Sequence, residues 1–132
     1  SEVLAEALVT YANRSKIRRL GVSPALLRRH GAVSAEVASA MARGARRSAA
    51  AAVALAVTGI AGPGGGAPGK PVGLVYLAVC AGGRVAVERR EFRGDRADVQ
   101  ERATLAGLDL LRRALERSRV RHGFGCGLPA AL

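Results

Sequence analysis

VALAVTGIAGPGGGAPGKPVGLVY, residues 53–76, is the stretch whose reading decides the fold. Val53 to Val57 are too few for a free-standing helix and end in Thr58-Gly59, so they read as a buried strand delivering a polar loop at its carboxyl end. Open α/β sheets bind ligands at such ends. Seven glycines from Gly59 to Gly73 leave backbone N–H groups uncovered, and successive free amides form concave nests for phosphate or carboxylate. Pro63, Pro68 and Pro71 stiffen the segment. A disordered linker has a similar composition but seldom separates two strand patterns, so a ligand loop is the better reading. It is not a Walker loop, because Gly69-Lys70 is followed by Pro71 and an apolar strand in place of Ser or Thr and a helix. Nor is it a dinucleotide fingerprint, since no helix follows Gly62-Pro63-Gly64-Gly65-Gly66.

Around this centre, 132 residues with 49% hydrophobic content suffice for one core and one domain. The net charge of +11 invites a nucleic-acid reading. However, the nineteen arginines are spread along the chain, aromatics for base stacking make up 3%, and Lys16 and Lys70 are the only lysines. Arg excess of this kind reads as coding bias, and a nucleic-acid partner is not expected. Cys80 and Cys126 have no neighbouring Cys or His at ligand spacing, so no metal site is expected. The longest apolar run, Ala49 to Val57, falls far short of the roughly twenty residues a membrane helix needs, which leads us to expect a cytoplasmic protein. The chain begins at Ser1 without Met and with its apolar pattern under way, so a preceding segment is expected.

In chain order, Ser1 to Ala12 fits either a helix or, in Leu8-Val9-Thr10-Tyr11, a short strand; the strand is the expectation for its second half. Asn13 is placed to cap a short helix that carries Lys16 in its first turn and closes at Gly21. Ser23-Pro24 opens another, ending near His30-Gly31, and Ser34 caps a third from Ala35 to about Arg47. The apolar runs Val72–Cys80 and Arg84–Phe92, joined through Ala81-Gly82-Gly83, form a hairpin signature. Asp95 caps a last helix with Val99, Ala103, Ala106, Leu110 and Leu111 on its buried face, running to about Arg117. Residues 118–132 lack a period and read as a disordered tail.

Three stretches together carry a resemblance: Tyr11-Ala12-Asn13 with Lys16-Ile17-Arg18 and Leu20-Gly21-Val22; His30-Gly31-Ala32-Val33-Ser34 with Glu36-Val37-Ala38; and Thr58-Gly59-Ile60-Ala61-Gly62-Pro63-Gly64-Gly65-Gly66 with Lys70-Pro71-Val72-Gly73. With Phe92 and Gly94-Asp95-Arg96, residues 1–117 resemble the C-terminal domain of the competence/damage-inducible CinA proteins, a domain that also occurs alone as nicotinamide-nucleotide amidase. The resemblance implies a three-layer α/β/α sandwich with a mixed sheet. It implies hydrolysis of nicotinamide mononucleotide to nicotinate mononucleotide and ammonia, in pyridine nucleotide salvage, by a homodimer needing no cofactor.

In that family the nucleophile is a serine in Glu-Ser-Cys-Thr-Gly-Gly, activated by the lysine of the Tyr-x-Asn-x-x-Lys motif, which matches Lys16 here. The serine motif is not in these 132 residues. In the family it lies about one strand and one helix upstream of the tyrosine motif, so the expectation is a domain lacking its first strand and helix and inactive by itself. Ala52, Gln100 and Glu6-Ala7 also depart from the family's Asp, Arg and Gly-Gly. The substrate-binding residues implied by the match are Tyr11, Asn13, Thr58, Gly59, Gly62, Gly64, Gly65 and Arg96. Four of these have a plainer alternative: Tyr11 a strand-end aromatic, Asn13 a helix cap, Thr58 a loop cap, Arg96 a first-turn arginine. Lys70 is expected in solvent and His30 without a partner. The competing class is a non-catalytic nucleotide-binding or regulatory protein.

Overall fold

The computed structural model describes residues 3–121, the last four of them by backbone alone. In chain order it contains α1 (Asn13–Leu20), α2 (Pro24–His30), α3 (Ala35–Ser48), β1 (Val53–Gly59), β2 (Leu74–Ala81), β3 (Arg84–Glu91) and α4 (Arg96–Arg121). The strands lie in the order β1-β2-β3, and both pairings are antiparallel. Thr58 stands opposite Tyr76 across the first pair, and Ala81 opposite Arg84 across the second. Gly82 and Gly83 close the hairpin with φ of 53° and 79°, the two positive values that a primed two-residue turn demands. The parallel pairing of a mixed sheet is not among the described strands.

The central strand builds the layers. Side chains alternate across a strand, and β2 is apolar at every position, so both of its faces must be covered. Ala78 and Cys80, with half-buried Tyr76, join Leu20, Val22, Val37, Ala38, Met41 and Ala42 from the α1–α3 side. Val75, Leu77 and Val79 pack with Val99, Ala103 and Leu110 of α4 on the other. The result is a three-layer α/β/α arrangement.

Local chemistry sets the helix ends. Ser23 and Ser34 cap α2 and α3, accepting from the N–H groups of Leu26 and Val37. Asp95 and Asp98 form a reciprocal capping box at α4, each carboxylate accepting the other's backbone N–H at 3.0 and 2.9 Å. Two expectations need correction at α1. Residues 8–11 form no strand, because the Thr10 and Tyr11 carbonyls accept hydrogen bonds from the Lys16 ammonium. Asn13 is no cap but the first helical residue; the cap is Ala12, whose carbonyl accepts from the N–H groups of Ser15 and Lys16. At the other end, α4 runs through Arg121, so residues 118–121 of the expected disordered tail are helical, while 122–132 lie outside the described residues. No helix among the described residues is long and apolar enough to cross a membrane.

Candidate anion site at the end of the first strand

The 60–73 loop is tied at its base. Ile60 N–H donates to Leu74 and Gly73 N–H to Ile60, continuing the antiparallel ladder beyond β1, and Ala67 and Lys70 exchange a pair of backbone bonds at the tip. Gly73 has φ +93°, and any side chain there would collide with the Phe92 carbonyl. Such a frame is not a free linker. It leaves Gly64, Gly65 and Gly66 exposed, and among the described residues their N–H groups make no backbone bond.

Three side chains fasten this loop and strand end to the layers on either side. Thr58, only 7% exposed, donates its hydroxyl to Ala32 at 2.8 Å, joining the end of β1 to the connection between α2 and α3. Arg96, in the first turn of α4, donates through Nη1 to the Gly62 carbonyl at 2.9 Å. Lys70, contrary to the expectation of a solvated side chain, is half-buried and donates to the His30 carbonyl at 2.5 Å. That carbonyl closes α2, where the helix dipole favours a cation. Lys70 lies inside the matched Lys70-Pro71-Val72-Gly73 block, which was the available signal for it. His30 is not without a partner either, since its Nδ1 lies 3.4 Å from Glu36 Oε1. An open depression of about 660 Å³ lies beside Arg96, walled by Ala61, Pro63 and Val72 and flanked by Gln100.

Lys16 occupies its own niche. Only 6% exposed, it donates through Nζ to Thr10 at 2.8 Å and Tyr11 at 3.0 Å, and burial lowers its pKa from the usual lysine value. A buried amine with a depressed pKa has the character of a base. Tyr11 contributes its carbonyl to this niche while the residue as a whole is 86% exposed, and Asn13 is exposed beside it. Among the described residues Lys16, Lys70 and Arg96 form no ion pair, and each rests on neutral backbone carbonyls. Gly59 and Gly62 act by close approach: a side chain at Gly59 would press on Leu74 and Val75, and one at Gly62, where φ is +85°, on Val72. No group of three potential metal ligands occurs among the described residues.

Residues 1–115 match the CinA C-terminal domain family. The chain is 47% identical over 115 residues to a CinA-like protein of Kosmotoga olearia and 52% identical over 120 residues to one of Citrifermentans bemidjiense. These matches cover 87% and 91% of the chain but 28% and 29% of those proteins, so the chain spans under a third of the length of these relatives. Among solved structures it resembles a competence or damage-inducible protein from Enterobacter asburiae, with a TM-score of 0.78 and 38% identity over 82% of this chain and 68% of that one. The competence/damage inducible protein CihA from Agrobacterium tumefaciens gives a TM-score of 0.76 and 42% identity over 79% of this chain and 64% of that one.

Proposed function

Because the chain belongs to the CinA C-terminal domain family, we propose that it is the nucleotide-binding, base-bearing part of a nicotinamide mononucleotide amidohydrolase. The observation that carries the reading is the set of three cations, Lys16, Lys70 and Arg96, each resting on neutral carbonyls, two of them bound to or borne by a glycine-rich loop at a strand end. A phosphate arriving beside Arg96 offers its guanidinium a charged acceptor of matching geometry in exchange for a neutral carbonyl, and one reaching Lys70 does the same for its ammonium, adding ion-pair attraction to each bond. The exposed amides of Gly64 to Gly66 supply further donors.

In this reading, neutral Lys16 takes the proton of a serine as its oxygen bonds to the carboxamide carbon. The Lys16 ammonium then protonates the departing nitrogen, the C–N bond breaks, and ammonia leaves an ester that water hydrolyses to nicotinate mononucleotide. The 132 residues hold no Glu-Ser-Cys-Thr-Gly-Gly segment, so this reading requires a serine supplied from outside them. The same loop and cations also serve a second reading, nucleotide binding without turnover, which needs no serine.

The test measures ammonia release and nucleotide binding with nicotinamide mononucleotide, for the 132-residue chain and for one extended by the serine-bearing segment of a relative. Binding by both and turnover by the extended chain alone is the expected result. In that chain Lys16→Ala lowers turnover about hundredfold or more while affinity holds, and Lys16→Arg does not rescue, since guanidinium stays protonated. Binding without turnover in both chains selects the second reading. Turnover by the short chain at an ordinary enzymatic rate overturns the need for the serine, and absence of binding in both overturns the site.

A further inference from the structure

The arginines that are spread along the sequence are not equivalent in the fold. Residues 84–117 hold nine basic and seven acidic side chains, and several pair closely: Arg113 with Glu88 and Asp109, Arg112 with Asp109 and Glu116, Arg90 with Glu88. Residues 13–48, which make up α1, α2 and α3, hold nine basic side chains against one carboxylate, Glu36. Glu36 sits in the first turn of α3 beside His30, while Arg47 lies eleven residues on, about 16 Å along the helix. Among the described residues none of the α1–α3 arginines joins an ion pair.

Packing gathers part of this charge. Gly44 of α3 lies so close to Leu20 that a side chain would strike the Leu20 carbonyl, which sets the last turn of α1 on the last turns of α3. Arg18 and Arg19 come from that turn of α1 and Arg47 from α3, all exposed. Arg47 reaches across the junction: a methyl group on Gly21 would lie 3.7 Å from its Nη2. Arg14, Arg28 and Arg29 extend the exposed charge over the same layer.

We propose that the outer face of the α1–α3 layer, centred on Arg18, Arg19 and Arg47, binds the phosphate backbone of a duplex nucleic acid without sequence preference. Guanidinium groups match phosphate geometry and gain by counterion release. Residues 13–48 contain no Phe, Tyr or Trp, so the face lacks the stacking platforms that hold single strands. A lipid surface fits less well, because none of the large exposed apolar side chains belongs to α1, α2 or α3 and membrane-lying helices need such anchors. The inference is independent of the amidohydrolase reading, since it uses none of Lys16, Thr58, Lys70 or Arg96.

The experiment titrates the 132-residue chain into a fluorescein-labelled 20-base-pair DNA duplex of mixed sequence, followed by anisotropy from 50 to 200 mM salt. Binding that weakens steeply with salt is expected, and the Arg18→Gln/Arg19→Gln/Arg47→Gln variant should flatten the slope of log K against log[salt] by about three, roughly one per lost phosphate contact. An Arg84→Gln/Arg93→Gln/Arg117→Gln variant has the same net charge and should bind nearly as the parent does. Arg28→Gln/Arg29→Gln serves as an independent variant on the same layer, expected to flatten the slope less, and far-UV circular dichroism verifies folding of each. Equal losses in the two triple variants would show a net-charge effect and overturn the face. Tighter binding to a single strand or to vesicles containing phosphatidylserine would overturn the choice of partner, and no duplex binding at 50 mM salt would overturn the proposal outright.

Discussion

The Thr58 hydroxyl donates to the Ala32 carbonyl at 2.8 Å, so the last residues of the first strand and the connection between the second and third helices are held by one side-chain bond. Both groups are largely withdrawn from solvent, and a buried carbonyl that loses its donor costs about 1–3 kcal/mol. Thr58→Val, which keeps the shape and removes the hydroxyl, should lower the free energy of urea unfolding by about that amount. Thr58→Ser keeps the hydroxyl and should lose only about 1 kcal/mol, the worth of a buried methyl group. Equal losses in the two variants would show that the methyl group, not the bond, matters.

Gly44 offers a sharper contrast. A side chain there meets the backbone of Leu20, which cannot swing aside as a flexible side chain would, so Gly44→Ala should push α1 from α3 and cost about 2 kcal/mol or more. Gly64 has nothing within 4 Å, and Gly64→Ala should stay within about 0.5 kcal/mol of the parent. Thermal melts of the two variants check this, and a neutral Gly44→Ala would mean that the two helices do not touch there.

Lys16 makes stability depend on pH with a defined sign. Burial lowers its pKa in the folded chain below the usual value of about 10.4, so between those two values the unfolded chain binds more protons. Stability therefore rises with pH across that window as the penalty of a buried ammonium disappears, and below the window that penalty is constant. Lys16→Met should remove this rise. The readout is the difference in slope between the two proteins in urea unfolding on the alkaline side, because Lys16→Met also strips the Thr10 and Tyr11 carbonyls of their donor and shifts stability at every pH. A parent with the same slope as the variant would contradict the burial of Lys16.

The linear chain determined whatever depends on neighbours. Two apolar runs joined through Ala81-Gly82-Gly83 gave the hairpin. Ser23, Ser34 and Asp95 marked helix starts, because a cap is a bond to an N–H two or three residues away. The 58–66 block was legible for the same reason, since its glycines and its strand are contiguous. Where a distant group competed, local reading failed. Thr10 and Tyr11 carry strand-forming side chains, yet their carbonyls go to Lys16; Lys70 looked solvated, yet it reaches a carbonyl forty residues away. The distribution of charge was legible only in part. The scarcity of carboxylates in residues 13–48 follows from the sequence, and so do the pairs of Arg90 with Glu88 and of Arg112 and Arg113 with Asp109, whose members lie within a few residues of each other. Only the tertiary structure decided that Arg113 also meets Glu88 and that Arg47 reaches the end of α1, because those groups are distant along the chain and come together when α4 packs on the sheet and α3 on α1.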